Sequence, residues 1–351
     1  AVGTLGTIIA TVDGGSTWSE QAASVKVDDD GVKELLNAVS FPDPQRGYAV
    51  GLAGTILATS DGGATWVTQQ PPPPLEYEGQ RVEWAFRGVS FADQSVGYIT
   101  GGPGGILKTA NGGATWEAFA DARFGQLMAV TSIDATNGHA VGWSGQVKDG
   151  IPFVTVATAD AGRTWEPRPG QFRSDVSPLN FNAVAFSDPM HGHAVGDEGR
   201  IVATADGGKT WALQRGGAIE ILTGVAFTDA RRGLAVGTVN FTTGEQKAVV
   251  FATDDGGQSW VSRIVPETVR LRGGVDFADR TKAYAVGCRS DGPDLPDGER
   301  GCASAAMVQV SFVDVPDASS GSSGVPWLVV AVAVAAGLFA AAVGLRRRSR
   351  R

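Results

Sequence analysis

Six segments of the chain place a carboxylate or amide at a fixed distance from a tryptophan, in the pattern (T/S/A)-x-(D/N)-x-G-x-(T/S)-W. The pairs are Asp13 with Trp18, Asp61 with Trp66, Asn111 with Trp116, Asp160 with Trp165, Asp206 with Trp211, and Asp255 with Trp260. Carboxylates at one spacing could act as general acids or metal ligands. A reaction needs such a group once, however, so six copies point to a requirement of the fold. An Asp in a tight turn accepts hydrogen bonds from backbone N–H groups of its own loop. The following Gly supplies positive φ, and the Trp leaves the turn to bury its ring between neighbouring units.

Other candidate chemistry is sparse. Tyr77, near Glu76, Glu78 and Glu83, has the residue types of a tyrosine nucleophile with a carboxylate partner. Asp28-Asp29-Asp30 and the trio Asp291, Asp294 and Asp297 could attract Ca²⁺, but neither has the D-x-D-x-D-G spacing of a calcium loop. With only His139, His191 and His193 in the chain, a zinc site is not expected either. No metal, cofactor or catalytic set is assigned.

The elements that must position these residues follow from the period. Successive box tryptophans lie 48, 50, 49, 46 and 49 residues apart, the size of one four-stranded propeller blade. Residues 37–41, 48–51, 55–59 and 65–69 read as four strands, a to d. The phrase for strand b recurs at 1–3, 98–101, 139–142, 193–196, 234–237 and 284–287, which gives seven b strands in all. The fold expected is therefore an all-β, seven-bladed propeller over residues 1–315, six blades being the alternative. Ala1-Val2-Gly3 reads as the middle of a repeat with no leader visible, so the first blade is expected to be incomplete, through processing or truncation.

Residues 316–326 form a Gly/Ser/Pro linker. Trp327 to Leu345 then runs nineteen residues without a charge, which as a helix would span roughly 28 Å at ~1.5 Å per residue. Five arginines follow in residues 346–351. The positive-inside rule puts this tail in the cytoplasm and the propeller outside the membrane. Net charge is −8, and near −13 without those arginines, which argues against nucleic-acid binding. In an extracytoplasmic domain, Cys288 and Cys302, flanking a long b–c loop, are expected to form a disulfide rather than two free thiols.

The boxes and the phrase G-(Y/H)-A-V-G followed by G-x-I-(L/V)-A-T-x-D-G-G-x-T-W resemble the Asp-box, or bacterial neuraminidase repeat, superfamily. Within it the chain is similar to the photosystem II stability/assembly factor family over residues 1–312. That resemblance implies a lumenal or periplasmic seven-bladed propeller that acts as an assembly chaperone, with an arginine patch on its surface. Length varies mainly in the d–a and b–c connections (70–85, 143–152, 238–247 and 288–303), which share one face. On that face lie Lys33, Arg81, Arg87, Arg123, Arg173, Arg215, Arg270 and Arg272, which would recognise carboxylates if clustered, or would be solvated loop charges. Tyr77, Trp84, Trp143 and Phe172 are candidate anchors there, or covers for strand ends.

The reading is thus a monomeric, non-catalytic, membrane-anchored scaffold that binds a protein or peptide through this loop face. Partner-binding candidates are Arg81, Arg87, Arg123, Arg173, Arg270, Arg272, Tyr77, Trp84 and Trp143. A sialidase-like glycoside hydrolase or carbohydrate-binding propeller is the alternative. It is disfavoured because Tyr48, Tyr98 and Tyr284 are strand-b repeat positions and no F-R-I-P-like Arg motif is present.

Overall fold

A computed structural model describes residues 1–3, 6–15, 17–21, 23, 35–77, 80–102, 104–143, 153–169, 180–240, 246–265, 269–289, 304–312 and 328–329. An N-terminal piece pairs β1 (Ile9–Ala10) with β2 (Ser19–Glu20). Blade I consists of β3 (Leu36–Ser40), β4 (Gly47–Gly51), β5 (Ile56–Thr59) and β6 (Val67–Gln69). The hairpin β7 (Leu75–Tyr77) and β8 (Gln80–Val82) follows. Blade II comprises β9 (Phe86–Phe91), β10 (Gly97–Gly101), β11 (Gly105–Thr109) and β12 (Glu117–Ala120). Blade III comprises β13 (Gln126–Ser132), β14 (Gly138–Trp143), β15 (Phe153–Thr158) and β16 (Glu166–Pro169). Blade IV has β17 (Phe181–Phe186), β18 (Gly192–Gly196), β19 (Ile201–Thr204) and β20 (Ala212–Arg215). Blade V has β21 (Glu220–Phe227), β22 (Gly233–Asn240), β23 (Gln246–Thr253) and β24 (Val261–Ile264). Blade VI has β25 (Val269–Phe277), β26 (Lys282–Arg289), β27 (Ser304–Phe312) and β28 (Leu328–Val329). Each blade is an antiparallel meander.

The described residues thus form a propeller of six four-stranded blades, the alternative to the seven expected. Among the described residues the first repeat forms a two-stranded sheet, β1 with β2, and no four-stranded one. Its strand b contributes only the isolated bridge Val2↔Ile8 beside the β1–β2 pair. The piece nevertheless sits between blade I and blade VI. Ile8 packs in one cluster with Leu36, Ala49, Leu57 and Trp66 of blade I, while the Tyr284 hydroxyl of blade VI donates to Gly14 O.

That contact repeats around the ring. The aromatic residue of strand b reaches under the box of the next blade. Tyr48 stacks on Phe91 at 3.8 Å and donates to Gly112 O at 2.8 Å. His193 stacks on Phe227 at 4.0 Å with its Nε2 3.3 Å from Gly256 O, and His139 stacks on Phe186 at 4.7 Å. The box tryptophans pack edge-on against the same rings: Trp116 on Phe91, Trp165 on Tyr98 and Trp211 on Phe186. Core clusters accordingly bridge consecutive blades.

The boxes themselves are closed hydrogen-bonded turns. In that of blade I, Thr59 Oγ1 donates to Asp61 Oδ1 at 2.7 Å and accepts from Gly63 N at 2.9 Å. Thr65 donates to Asp61 through its backbone N–H (2.9 Å) and its hydroxyl (2.6 Å). The carboxylate is thereby held well below its usual range, at about 2 for Asp61, chiefly by the Thr65 hydroxyl. The other Asp boxes repeat this set, while in the Asn111 box the side-chain amide donates to the Thr115 hydroxyl instead.

The linker 316–326, the tail 346–351 and all of 327–345 except Leu328 and Val329 lie outside the described residues. Those two residues are not helical: they pair with Phe312 and Ser311 as the outer strand of blade VI. The box-less last repeat lacks its own strand d, and an apolar, partly β-branched segment takes that place. No helix among the described residues is long and apolar enough to cross a membrane.

Candidate functional site

Every inner strand carries a β-bulge at the same point. Leu36 faces Gly51 and Ala38 faces Val50, which leaves Asn37 as an extra residue. The equivalents are Arg87, Met128, Asn182, Thr223 and the stretch Arg272–Gly274. The bulge explains the Gly that closes each strand-b phrase. A Cβ at Gly196 would lie 1.9 Å from Asn180 O, and one at Gly51 2.0 Å from Leu35 O. Only glycine lets the two backbones approach so closely.

These extra residues join blades at the loop end of the propeller. Asn37 Nδ2 donates to Phe86 O at 2.7 Å, Asn182 Nδ2 to Leu222 O at 2.9 Å, and Thr223 Oγ1 to Leu271 O at 3.1 Å. Each acceptor is the residue just before the bulge of the next blade. The buried Nε of Arg87 makes no hydrogen bond.

Across blades III to V the rim carries a continuous polar belt. Trp143 Nε1 donates to Asn182 Oδ1 at 3.1 Å. Asn182 and Asn180 donate to the two carboxylate oxygens of Asp197, at 3.2 and 2.9 Å. Asp197 opens a single 3-10 turn, Asp197–Gly199, in which Glu198 takes a left-handed conformation with φ 58°. Arg200, 7% exposed, pairs with Glu198. Arg215 donates to Gly199 O at 2.9 Å and to Glu220 Oε1 at 3.0 Å, and its guanidinium lies 4.3 Å over the Phe251 ring. Large apolar side chains are exposed along the belt: Trp143 (41%), Ile219 (59%) and Ile221 (38%).

The expected arginines are not an open ring. Arg81 pairs with Glu83 at 2.9 Å. Arg123 grips Asp121 through Nε at 2.9 Å, which holds that carboxyl below its ordinary value. Arg270 is 4% exposed in β25. Arg87 and Arg272 share the bulge position; Arg173, Lys33 and Phe172 lie outside the described residues, as do residues 28–30 and 291–297. Trp84, expected as a surface anchor, is 3% exposed, stacked on Phe86 and donating to Pro72 O. The Pro run before the β7–β8 hairpin folds over this ring and buries it. Tyr77 lies at the end of β7, its backbone paired with Gln80. Within the 238–247 insertion the described residues are ladder: Thr238 to Asn240 pair with Ala248 to Gln246.

Sequence reasoning missed Asn180, Asn182, Asp197, Glu198, Arg200 and Glu220. A signal existed in the residue before the small Ala or Gly of strand a, where the repeats read Asn, Arg, Met, Asn, Thr and Arg. Cys288 is disulfide-bonded, and the only other cysteine is Cys302.

A sequence profile described as photosynthesis system II assembly factor YCF48 matches residues 24–168 and 171–273. Among solved structures, YCF48 from Cyanidioschyzon merolae is 21% identical, with a TM-score of 0.56 over 82% of this chain and 87% of that one. The GH74 xyloglucanase from Xanthomonas campestris is 15% identical, with a TM-score of 0.59 over 85% of this chain and 51% of that one. A YCF48 bound to D1 peptide is 19% identical, with a TM-score of 0.46 over 72% of this chain and 90% of that one. At such identities the first two likenesses concern the fold. No curated protein matches the chain.

Proposed function

The chain belongs to the photosystem II assembly factor YCF48 family, and from that premise we propose that it is a non-catalytic propeller that holds a peptide segment of a client during assembly of a membrane protein complex. The observation that carries this reading is the rim belt of blades III to V. There Trp143, Ile219 and Ile221 are exposed beside side chains already fixed by Asn182, Asp197 and Arg215. Preorganised polar groups lose little entropy on binding, and the exposed apolar groups supply the burial that gives affinity. Arg87, Arg123, Arg173 and Arg272 are proposed to add charge recognition of client carboxylates.

We further assign the propeller to the extracytoplasmic side, tethered through the apolar stretch that ends in the arginine-rich tail. The uncharged run and its charge asymmetry support this. Carbonate extraction of membranes should leave the full chain in the pellet, and protease added outside should digest the propeller but not the tail. Release by carbonate would overturn the tether.

The binding reading is tested by capture of client protein on the immobilised full chain. Trp143→Ala with Ile219→Ser should cut capture at least tenfold while the melting temperature stays within about 2 °C, as expected for surface positions. Replacing Arg87, Arg123, Arg173 and Arg272 together by Ala should also lower it. Undiminished capture in both variants would sink the loop-face reading. Turnover of fluorogenic glycosides that is lost in Tyr77→Phe would replace it with hydrolysis.

A further inference from the structure

We infer that the cleft between the turns of blades V and VI, at the box end of the propeller, binds the oxyanion of a phosphate group. Three segments line it: Asp229, Arg231 and Arg232 between β21 and β22, Asp254 after β23, and Arg280 and Thr281 between β25 and β26. Its volume is about 510 Å³. Three guanidiniums thus share one opening on a chain whose net charge is −8.

The turns themselves do not require these arginines. Each a–b turn is closed by one Asp carboxylate that accepts from the backbone N–H groups two and three residues on. Asp43, Asp93, Asp134, Asp188, Asp229 and Asp279 all do so. Among the donating residues of blades I to IV, Arg46 is the one arginine. In blade V both donors are arginines, Arg231 and Arg232, and in blade VI Arg280 precedes them. The turn does not fix the side chains at these positions, yet the arginines gather at one blade junction.

Ion pairing does not account for the cluster either. Arg280 Nη2 meets Asp229 Oδ2 at 3.0 Å with 80% of its side chain exposed, and an exposed pair of this kind adds little to stability. Arg231 Nε donates to Asp254 O at 3.1 Å, and Arg232 Nη1 to Arg280 O at 3.3 Å. These two bonds orient guanidiniums through neutral carbonyls. A guanidinium carries five N–H donors, so Arg231 and Arg280 keep most of theirs for a ligand. The lining sums to three positive and two negative charges, and Asp229 is already engaged by Arg280 and by its own turn. Guanidiniums arriving from two turns face an anion from more than one side. That suits a tetrahedral oxyanion better than a planar carboxylate, which one fork satisfies. The cleft lies at the end opposite the Trp143 belt and does not depend on the loop-face reading. A free phosphate and an anionic lipid headgroup present the same oxyanion, and the test separates them.

The test is arginine modification by phenylglyoxal on the detergent-solubilised full chain, read site by site by mass spectrometry. Inorganic phosphate at millimolar concentration should slow modification of Arg231 and Arg280 at least tenfold. Arg81, whose side chain is 71% exposed at the other end of the propeller, should react as before. In a second arm, vesicles of one part phosphatidylglycerol to four of phosphatidylcholine replace phosphate, with phosphatidylcholine alone as the control. Protection by phosphate assigns a free anion, and protection by the anionic vesicles alone assigns a headgroup. In titration calorimetry with the probe that protects, Arg231→Gln with Arg280→Gln should weaken binding at least tenfold. The melting temperature should stay within about 2 °C, as expected for surface positions. No protection in either arm, equal protection of Arg81, equal protection by phosphatidylcholine alone, or unchanged affinity in the folded double variant would each overturn the proposal.

Discussion

The Tyr284 hydroxyl donates to Gly14 O at 2.5 Å across 270 residues of sequence. By this contact blade VI meets the N-terminal piece as Tyr48 meets Gly112 between blades I and II. The Trp18 ring packs edge-on against Tyr284 at 5.8 Å. Tyr284→Phe should therefore lower stability by about 1 kcal/mol, the ordinary worth of one hydrogen bond. Gly15→Ala should cost more, because its Cβ would lie 2.2 Å from the Tyr284 ring at φ +86°. Urea denaturation of the two variants would show the order, and the reverse order would contradict closure through this contact.

Removing one box threonine should be felt in the blade that carries it. Thr204 is buried, and its hydroxyl accepts from Gly208 N at 2.9 Å while donating to Asp206 at 2.8 Å. Thr204→Val keeps the shape but leaves the Gly208 N–H unpaired, a loss of roughly 1–3 kcal/mol. Thermal unfolding of the full chain measures it, and an unchanged midpoint would show that the turn does not depend on the hydroxyl.

Acid should destabilise the propeller in two stages. Burial holds His139 and His193 neutral down to about 4, whereas in the unfolded chain they protonate near their ordinary value of about 6.5. Between those limits the unfolded state binds more protons, so stability falls as pH drops, by up to about 3 kcal/mol per histidine. Below pH 4 the box carboxylates follow. Asp160, held at about 2 chiefly by the Thr164 backbone N–H, loses its contribution as pH falls from about 4 toward 2. His193→Tyr restores the residue used at Tyr48 and should flatten the first stage only. A pH series of denaturation midpoints would reveal this, and an unflattened first stage would exclude His193 as its source.

Gly196→Ala should destabilise at the upper end of the roughly 1–3 kcal/mol typical of overpacking, because the added Cβ meets Asn180 O at 1.9 Å. Asn180 and Asp197 belong to the rim belt, so client capture should fall with stability here. The Trp143→Ala, Ile219→Ser double variant should separate the two. Binding and melting measured on both would show whether the bulge positions the belt.

The sequence by itself determined everything set by local turn chemistry. Thr-x-Asp-x-Gly-x-Thr-Trp closes its own hydrogen bonds within seven residues, so each box, the strands beside it and the period between boxes could be read without knowing the neighbours. The buried tryptophans followed, since a ring leaving such a turn has only the next blade to enter. Tertiary structure decided what the strand pattern and turn motifs do not encode. Trp84 is buried because a proline run folds over it, and Arg215 lies over the Phe251 ring only because blades IV and V touch. Leu328 and Val329 lie beside β27 as the outer strand of a blade whose repeat carries no box, and hydropathy alone carries no information about that place. Alternation and turn motifs report the blade's own needs, while the rim is made where blades meet.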